Sequence, residues 1–423
     1  MAGAAGATSR SLAGAPWLTD GPLARLLAVL DRDGEEARAV GGVVRNALLG
    51  APTAEIDVAT TAVPDEVFRR VQAEGFKAVP TGIEHGTVTV VIDKHPFEVT
   101  TLRTDVETYG RHAKVAFGRD WKTDAERRDF TINALTAARD GTVYDYVGGL
   151  DDLAARRVRF IGDPAKRIAE DYLRILRFFR FHAAYGEGEP DASGLTACVA
   201  GRGGLAQLSR ERVRMELLKL LVAARAGAAL TAMFDYGLLV EVIDRVPNVA
   251  HFTAMAEREA ALSLAPDAIR RLGALAVLVP EDAERLWQGL RLANAEHERL
   301  AAMAEGWWRV SAHLSENAAR ALLYRLGPDM FTDHVLLGWT RANAAPDDAG
   351  WRNLATLPQR WRAPEFPIKA ADLMARGVEK GPALGKALAW AEKAWIAAGF
   401  PGDKSALDGI ADKAAREAAS TRA

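Results

Sequence analysis

Residues 41–61 read GGVVRNALLGAPTAEIDVATT, and this stretch decides the fold class of the N-terminal part of the chain. A strand-like run ends at Gly41 and Gly42, and a helix-like run, VVRNALLG, follows. Glycines at such a junction let backbone amides approach a ligand closely, and the start of a helix attracts phosphate. Arg45 lies one turn into the helix, where its guanidinium could reach a triphosphate. On its own, a pair of glycines is more often a simple turn.

The segment EIDVAT carries two acidic side chains on one face of a predicted strand. Glu55 and Asp57 stand two residues apart and share that face, whereas Ile56 and Val58 point into a core. Adjacent carboxylates repel and resist ionising together unless a cation lies between them. Mg²⁺ prefers oxygen ligands and would fill that role. The simpler interpretation is two solvated carboxylates on an edge strand.

A third acid lies in a predicted β-hairpin. The alternating runs GTVTVVID (86–93) and FEVTTLR (97–103) flank a short turn that contains Pro96. Glu98 in the second run places a carboxylate on a strand, and together with the first two acids it could complete a two-metal site. In such a site one ion activates the attacking hydroxyl and the other neutralises the leaving pyrophosphate.

RRDFTINAL, residues 127–135, supplies candidates for binding a nucleotide. Arg128 and Asp129 suit a nucleotide because a guanidinium binds phosphate and a carboxylate accepts hydrogen bonds from ribose hydroxyls. Asn133 is a further candidate in the same segment. We expect the apolar residues of this segment to form a helix that enters the core. The simpler interpretation makes Asp129 the cap of that helix and leaves the arginines solvated.

RIAEDYLRILRFFRF, residues 167–181, predicts a helix with a buried apolar stripe. Asp171 and Arg174 stand three residues apart on an adjoining face, and Arg177 and Arg180 continue its basic edge. One interpretation is an ion pair between Asp171 and Arg174 on a solvated helix. The other interpretation is that the two side chains together recognise a nucleotide base.

Recognition of a base by one carboxylate and one guanidinium has a definite selectivity. Cytosine and adenine each present an amino donor beside a ring-nitrogen acceptor, whereas uracil and guanine present the reverse pattern. A carboxylate accepts from the amino group and a guanidinium donates to the ring nitrogen, so Asp171 and Arg174 would admit C and A. Each mispaired buried group costs about 1–3 kcal/mol, which is enough to discriminate against U and G.

The composition excludes several classes of protein. Formal net charge is −2, so nucleic acid could bind only through local basic faces, such as the arginine-rich helices after residue 150. Cys198 is the only cysteine, which excludes an intrachain disulfide and a cysteine-based zinc cluster and fits a reducing compartment. No apolar run approaches the ~18 residues of a membrane span, and the Ala/Gly-rich start lacks a signal-peptide pattern. We therefore expect a cytoplasmic protein without a membrane partner.

The chain changes character near residue 150. Short β-rich runs separated by turns and helices occupy residues 38–147, whereas helical periodicity dominates after residue 160. The sequence therefore predicts an α+β multidomain protein, in which a mixed sheet with helices is followed by an all-α remainder.

The ordered set of motifs resembles the class II tRNA nucleotidyltransferases, or CCA-adding enzymes, and the bacterial poly(A) polymerases. The matching segments lie within residues 40–221 and include VGGVVRNALLG, EIDVAT, EVTTLR, RRDFTINAL and RERVRMELLKLL. The resemblance implies a polymerase-β-like nucleotidyltransferase head followed by helical neck, body and tail. The implied domains are the catalytic head (20–150), a neck with the base-recognition and RNA-binding helices (151–225), a body (226–310) and a tRNA-binding tail (311–423).

The same resemblance implies Mg²⁺-dependent, template-independent addition of C and A to the 3′ end of tRNA from CTP and ATP, with no DNA partner. It implies that Glu55 and Asp57 bind the metal and that Glu98 is the third catalytic carboxylate. The residues implied to bind the nucleotide are Gly41, Gly42, Arg45, Arg128, Asp129, Asn133, Asp171, Arg174, Arg177 and Arg180. The alternatives are a poly(A) polymerase, a CC-only or A-only enzyme, and a non-catalytic RNA-binding protein on the same scaffold.

The sequence departs from the usual pattern of this family at two positions, and one further segment has an expectation of its own. Glu55 stands where the family usually has Asp, and a longer side chain could shift the metal ion. Asn46 replaces the usual aspartate after Arg45, and we expect this change to remove only a supporting ion pair or cap. Residues 104–126 are long and polar, and we expect them to form a mobile loop, because the corresponding family loop is implicated in the switch from C to A addition.

Overall fold

The structure is a computed structural model that describes residues 11–52, 56–82, 86–109 and 112–420. The chain divides into two compact units, Met1–Arg245 and Val246–Ala423. Within the described residues every strand belongs to the first unit, and the second unit is helical. The predicted α+β fold class is therefore confirmed. The division of the chain into head, neck, body and tail stays a prediction.

The first unit is built around β-strands. They are β1 (Ala37–Val40), β2 (Asp57–Thr60), β3 (Lys77–Gly82), β4 (Thr87–Ile92), β5 (His95–Thr101), β6 (Arg103–Tyr109), β7 (His112–Phe117), β8 (Thr136–Ala137) and β9 (Val143–Tyr144). Seven of them form one mixed sheet in the order β3-β4-β5-β2-β1-β8-β9, and β6 pairs with β7 separately. In the seven-stranded sheet β2 runs parallel to β5, and the other neighbouring strands are antiparallel.

Helices surround this sheet and continue through the rest of the first unit. They are α1 (Pro16–Thr19), α2 (Pro22–Leu30), α3 (Gly42–Leu48), α4 (Pro64–Ala73), α5 (Trp121–Glu126), α6 (Gly149–Ala154), α7 (Pro164–Glu170), α8 (Leu173–Tyr185), α9 (Ala192–Ala200), α10 (Arg210–Leu221), α11 (Ala226–Asp235) and α12 (Leu238–Ile243).

The second unit consists of helices joined by short connections. They are α13 (Val249–Ala261), α14 (Ala268–Ala276), α15 (Pro280–Leu290), α16 (Asn294–Ala304), α17 (Glu316–Arg341), α18 (Ala349–Ala355), α19 (Leu357–Arg360), α20 (Ala370–Met374), α21 (Pro382–Ala397) and α22 (Lys404–Ser420). Within α17 the backbone kinks at Gly327, which has φ of 74° and precedes Pro328.

The middle of the sheet is buried except at one end of β2. Every residue of β1 is buried, and in β2 only Asp57 is exposed. α2 packs against β1 and α4, and α4 packs against β3 and β4, so apolar side chains such as Leu26 and Val71 are fully excluded from water. The start of β2 is therefore the place where the central strands of the sheet open to solvent.

The predicted hairpin of β4 and β5 is confirmed, but the predicted turn is wrong. Ile92 pairs with His95, so Asp93 and Lys94 form the turn. Both have positive φ, 48° and 68°, which suits the tight turn of a two-residue hairpin. Pro96 lies inside β5, before the pairing with β2 begins, where β5 is still an edge strand.

Residues 104–126 are not the single irregular loop that the sequence predicted. β6 and β7 form an antiparallel hairpin, and α5 follows them. The carboxylate of Asp120 caps α5 by accepting hydrogen bonds from the N–H groups of Lys122 and Thr123 at 3.2 and 3.1 Å. Polar residues dominate β6, and β7 mixes apolar with basic residues, so neither strand gave a clear alternation signal. The mobility of this segment stays a prediction.

The segment RRDFTINAL is also not the helix that the sequence predicted. A single 3₁₀ turn at Thr131–Asn133 is followed by the short strand β8. The segment does enter the core as expected, because Phe130 and Ile132 are almost fully buried. Its backbone joins the sheet through β8, which pairs with β1.

The predicted helix over residues 167–181 is two helices. α7 ends at Glu170 and α8 begins at Leu173, and Asp171 between them has extended backbone with φ of −156° and ψ of 107°. The ring of Tyr172 packs on the backbone of Gly204, so closely that a Cβ at Gly204 would lie 2.1 Å from it. The break therefore takes Asp171 off the helical face that it was predicted to share with the arginines.

No helix in the parts of the chain that the structure describes is both long enough and apolar enough to cross a membrane.

Candidate active site

The parallel pairing of β2 with β5 sets two carboxylates side by side. Asp57 and Glu98 are direct register partners, and neighbouring strands lie about 4.8 Å apart. Both side chains are exposed, whereas the next pair along the strands, Val58 and Val99, is fully buried. Asp57, Glu98 and Thr89 line a cavity of about 490 Å³ on this part of the sheet. The predicted proximity of these two acids therefore has a direct structural basis in the strand register.

The third predicted acid, Glu55, lies outside the described residues. Over the residues that are described, no group of three or more His, Cys, Asp or Glu side chains could by itself hold a metal ion. The donor chemistry of Asp57 and Glu98 nevertheless fits a hard divalent cation, because both groups are solvent-accessible carboxylates on adjacent strands.

Gly41 makes the turn that connects β1 with α3. Its φ is 69°, a conformation that favours glycine, and its N–H donates to the carbonyl of Leu135 at 3.0 Å. A Cβ at this position would lie 3.4 Å from the carbonyl oxygen of Asn133 and 3.6 Å from Nη1 of Arg128. The glycine turn is therefore packed directly against the RRDFTINAL segment. Gly42, the first residue of α3, follows it.

Arg45 lies on α3 beneath this turn and is buried. Its Nε and Nη2 donate to Oδ1 of Asn46 at 3.2 and 3.0 Å, and its Nη1 donates to Oδ1 of Asn133. Nη2 also donates to the hydroxyl of Tyr185 at 2.7 Å. Burial lowers the pKa of Arg45, and the hydroxyl of Tyr185 acts in the opposite direction. The guanidinium is thus oriented mainly by neutral partners.

The expectation for Asn46 fits these contacts. Its side-chain carbonyl holds the guanidinium of Arg45, and its amide donates to the carbonyl of Pro52 at 2.9 Å. An aspartate here would add a negative charge beside Arg45, and asparagine keeps the hydrogen bonds without it.

Asp129 connects the head segment with α8. Its Oδ2 accepts from Nε of Arg177 at 2.7 Å and forms an ion pair with Nη2 at 2.6 Å. Its Oδ1 accepts from the side-chain amide of Asn133 at 3.1 Å and from the N–H of Phe130 at 2.9 Å. Burial raises the pKa of Asp129, but the charge of Arg177 and the hydrogen bonds outweigh this effect and hold the pKa below its ordinary value. Asp129 is therefore an ionised anchor and does not cap a helix.

Asp124 is a buried partner of the two arginines that sequence reasoning missed. Its carboxylate accepts from Arg127 at 2.6 Å and from Arg128 at 3.1 Å. Burial raises the pKa of Asp124, but the two guanidinium groups outweigh burial. They hold the pKa below its ordinary value and keep the carboxyl ionised. The signal available in the sequence was only its spacing of three and four residues from the arginines at the end of α5.

Asp171 and Arg174 do not form an ion pair with each other. Oδ2 of Asp171 accepts from Nη2 of Arg212 on α10 at 2.6 Å, and its Oδ1 accepts from the N–H of Leu173 at 3.1 Å. Arg174 instead pairs with Glu170 and donates to the carbonyl of Arg167 at 2.7 Å. The simple interpretation of an ion pair between Asp171 and Arg174 is therefore wrong. Each of the two side chains is held by a different neighbour of opposite charge.

The remaining predicted arginines join α8 to its surroundings. Arg180 donates to Oε2 of Glu216 on α10 at 2.5 Å, and Arg177 lies 3.6 Å from Oε1 of the same carboxylate. Burial lowers the pKa of Arg177, but Asp129 and Glu216 outweigh it and raise that pKa above its ordinary value. Glu216 was not among the predicted site residues, since a glutamate inside a helical run carries no distinguishing pattern.

The predicted nucleotide-binding residues fall into two groups. Direct contacts link Gly41, Arg45, Arg128, Asn133, Asp129 and Arg177 into one cluster. The carboxylate pair adjoins this cluster, because Asp57 pairs with Val40 and Gly41 follows Val40 directly. Asp171 and Arg174 lie at the start of α8, at the opposite end of this helix from Tyr185, and Asp171 acts electrostatically on Arg177 of the cluster.

Other arginines after residue 150 are sorted by their partners. Arg157 and Arg159 both pair with the fully buried Asp152, yet each side chain is nearly half exposed. Arg167 donates to the backbone carbonyls of Glu126 and Ile161. The side chains of Arg157 and Arg159 are therefore held in place and present positive charge to solvent, where a phosphate could bind. Arg167 mainly stabilises the fold.

Two family models and several related proteins match this chain. The family model of the Poly A polymerase head domain matches residues 37–159, and the model described as the probable RNA and SrmB- binding site of polymerase A matches residues 196–251. The mitochondrial CCA tRNA nucleotidyltransferase 1 of Danio rerio is 35% identical over 404 residues, which cover 89% of this chain and 87% of that protein. The CCA-adding enzyme of Limosilactobacillus fermentum is 32% identical over 370 residues, which cover 87% and 90%.

Solved structures share the architecture. The crystal structure of the Bacillus stearothermophilus CCA-adding enzyme in complex with CTP superposes with a TM-score of 0.70 at 25% identity, covering 96% of this chain and 99% of that chain. The Thermotoga maritima CCA-adding enzyme complexed with tRNA_CCA has a TM-score of 0.68 at 18% identity, covering 95% and 98%. The latter likeness concerns the fold alone.

Proposed function

This chain belongs to the family of CCA-adding tRNA nucleotidyltransferases, and from this premise we propose that it adds C and A to the 3′ end of tRNA from CTP and ATP without a nucleic-acid template. The observation that carries the proposal is the strand register that pairs Asp57 with Glu98 beside the Gly41 turn. Full-length relatives with this activity in their names align over most of both chains, which supports it further.

Family membership implies the use of a divalent metal ion, and we propose that the ion is Mg²⁺. Asp57 and Glu98, with Glu55 as the further candidate, would hold it through carboxylate oxygens. Held by these carboxylates, the metal would supply activation of the attacking 3′-hydroxyl and neutralisation of the leaving pyrophosphate. The carboxylates of the chain fix the place on the sheet where the 3′-hydroxyl and the α-phosphate must meet.

The cluster around Gly41 and Gly42 is proposed to bind the sugar and triphosphate. Arg45 and Arg128 bring positive charge to the glycine turn, where the missing side chain leaves room for a phosphate. Asp129 accepts three hydrogen bonds and forms an ion pair with Arg177, which leaves acceptor capacity on its carboxylate for a ribose hydroxyl. Asp129 is proposed to accept from the ribose, and it also orients Asn133 and Arg177, which carry further donors.

Asp171 and Arg174 are proposed to select the base. With an N–H of Leu173 on one oxygen and Arg212 on the other, the carboxylate of Asp171 keeps acceptor capacity for the amino group of C or A. Arg174 is held through Nη1, so its other N–H groups can donate to the ring nitrogen. Their separate partners keep the two groups from neutralising each other.

The activity is tested with a tRNA transcript that lacks its CCA end, the purified full-length chain, and each labelled nucleotide in turn. The expected result is incorporation of two C residues and then a single A, dependent on Mg²⁺. Long A tracts would instead identify a poly(A) polymerase, and addition of only C or only A would identify a partial enzyme. Binding of tRNA without incorporation at any Mg²⁺ concentration would establish a non-catalytic RNA-binding protein.

The base-selecting role is tested separately by Asp171→Ala and Arg174→Ala with all four nucleotides. We expect discrimination against UTP and GTP to fall by about tenfold or more in each variant, because a mispaired buried group costs about 1–3 kcal/mol. The matched control is Arg202→Ala, a residue of the same unit outside the site. Unchanged discrimination in both variants would remove these residues from base recognition and leave the activity itself untouched.

The compartment belongs to the proposal as well. The single cysteine, Cys198, fits a reducing compartment, for which we propose the cytoplasm. Several relatives are named as mitochondrial proteins, so the decisive measurement is the localisation of the tagged full-length chain in its own cells.

A further inference from the structure

Arg45 is a buried cation whose side-chain hydrogen bonds, within the part of the chain that the structure describes, all go to neutral groups. Four of its five N–H groups donate to Asn46, Asn133 and Tyr185, and every acceptor is a neutral oxygen. Among the described residues no carboxylate lies within ion-pair distance of its guanidinium. Its positive charge is therefore held in place by neutral oxygen atoms, with Asp129 acting on it only from beyond ion-pair distance, beside the glycine turn that is proposed to receive a polyphosphate.

Tyr185 contributes two separate contacts to this arrangement. Its hydroxyl accepts from Nη2 of Arg45 at 2.7 Å, and its ring lies 3.9 Å below the guanidinium carbon. The ring also stacks on Phe181 one turn earlier, with centroids 5.9 Å apart and an interplanar angle of 27°. A cation over an aromatic face is attracted by the negative charge of that face, so the tyrosine orients the guanidinium without neutralising it.

Tyr185 is also the last residue of α8, the helix that begins beside the base-selecting residues. From Leu173 to Tyr185 the helix rises about 18 Å at 1.5 Å per residue. Between these ends α8 is fixed to the head by the bond of Arg177 to Asp129 and to α10 by the bond of Arg180 to Glu216. The helix is therefore a rigid connection between the place for the base and the place for the triphosphate.

We infer that Tyr185 is a positioning residue that fixes Arg45, and with it the triphosphate-binding turn, at a set distance from the base-selecting residues. A bound nucleotide must contact the base-selecting residues at the start of α8 and the triphosphate-binding turn at its end at the same time. The inference rests on the proposed nucleotide site. It assigns a role to a residue at the end of α8 that does not itself contact the base or the reacting atoms.

The test is Tyr185→Phe, which removes the hydroxyl but keeps the ring under the guanidinium. The KM for CTP and for ATP should rise about tenfold, the factor expected for one lost hydrogen bond to a charged group. The KM for tRNA and the discrimination against UTP and GTP should stay at their wild-type values, and the thermal midpoint should fall by no more than a few degrees. The matched control is Tyr236→Phe, because Tyr236 belongs to the same unit and is exposed.

A double-mutant cycle with Arg45→Lys separates positioning from general damage. If Tyr185 acts through Arg45, the KM for CTP and ATP of the double variant should rise by no more than about tenfold. If the two residues act independently, their effects on KM should multiply to about a hundredfold. An unchanged KM for both nucleotides in Tyr185→Phe, a joint shift of every constant with the thermal midpoint, or a multiplicative double variant would each overturn the inference. Failure of the wild-type chain to add C or A would instead refute the proposed function.

Discussion

At the scale of single residues, the site depends on which polar side chains are buried and which are exposed to solvent. Asp57 and Glu98 share a register position and face solvent, so they can take up a cation. Asp129 and Asp124 are acids of the same type, yet Asp124 is buried and Asp129 largely buried, and each pairs with arginine. The difference is burial, which follows from the position of each residue in the fold.

Replacement of the exposed pair should remove chemistry without removing the fold. Asp57→Asn and Glu98→Gln keep the size of each side chain and discard its charge, so we expect kcat to fall by about a thousandfold, equivalent to about 4 kcal/mol of lost metal-assisted stabilisation. Single-turnover incorporation of CTP measures this loss, and circular dichroism checks the fold. Asp65→Asn, at an exposed position on α4, serves as the control. Wild-type turnover in Asp57→Asn would exclude Asp57 as a metal ligand.

Asp129 gives a prediction with a defined dependence on pH. Because its folded pKa lies below the ordinary value of about 3.9, its stabilising effect is complete above that pH and is lost as the pH falls through the folded pKa. Asp129→Asn should therefore lower the free energy of unfolding by about 2 kcal/mol at pH 7, with a smaller difference from wild type below about pH 4. Urea unfolding at pH 7 and at pH 3.5 measures both values. A difference that stays constant with pH would contradict the ion pair with Arg177.

At the scale of elements, the break between α7 and α8 decides where the base-selecting residues lie. A continuous helix would have placed Asp171 and Arg174 on one face, close enough to pair with each other. The break instead gives each residue its own partner, Arg212 and Glu170. The backbone of Gly204 makes room for Tyr172 at this break, so a residue far along the chain determines the geometry.

Gly204→Ala should disturb this break. Its Cβ would lie 2.1 Å from the ring of Tyr172, so the ring must move, at a cost of about 1–3 kcal/mol as in other overpacked sites. We expect a lower thermal midpoint together with weaker discrimination against UTP and GTP. Gly203→Ala is the matched control, since nothing lies within 4 Å of a Cβ at Gly203. Equal behaviour of the two variants would show that the ring does not depend on this space.

At the scale of the whole molecule, the two units are stabilised in different ways. The first unit joins a sheet to helices through the arginine and carboxylate contacts of the site. The second unit contains a buried network in which Asp333, fully excluded from water, accepts from Arg270 at 2.7 Å and from Arg299 at 2.7 and 3.0 Å. Glu259 also pairs with Arg270 and extends the network.

Asp333→Ala should therefore destabilise the second unit by about 3–5 kcal/mol, because it leaves two arginines without their buried partner. Tryptophan fluorescence during urea unfolding reports this change, since eight of the ten tryptophans (287, 307, 308, 339, 351, 361, 390 and 395) lie in this unit. Asp329→Ala on the same helix is the control, because Asp329 is exposed. A loss below about 1 kcal/mol would show that the network contributes little.

Local patterns in the sequence were sufficient to predict the fold class and the family, and they supplied the candidate site residues, whose roles stay predictions. The alternation of apolar and polar residues predicted the strands of Asp57 and Glu98. Helical periodicity predicted the apolar stripe of α8, whose Ile175 and Phe179 are fully buried. These features depend on neighbours within a few positions along the chain, so they can be recognised from the sequence directly.

Contacts between distant segments were decided only by the tertiary structure. The Asp93–Lys94 turn, the break at Asp171 and the hold of Tyr185 on Arg45 each depend on backbone conformation or on a partner up to 140 positions away. A charged side chain looks the same in a sequence whether it is solvated, paired or poised for a ligand. Its state is set by burial and by the partner that folding brings to it, which is why the pairing of these groups could not be predicted from local patterns.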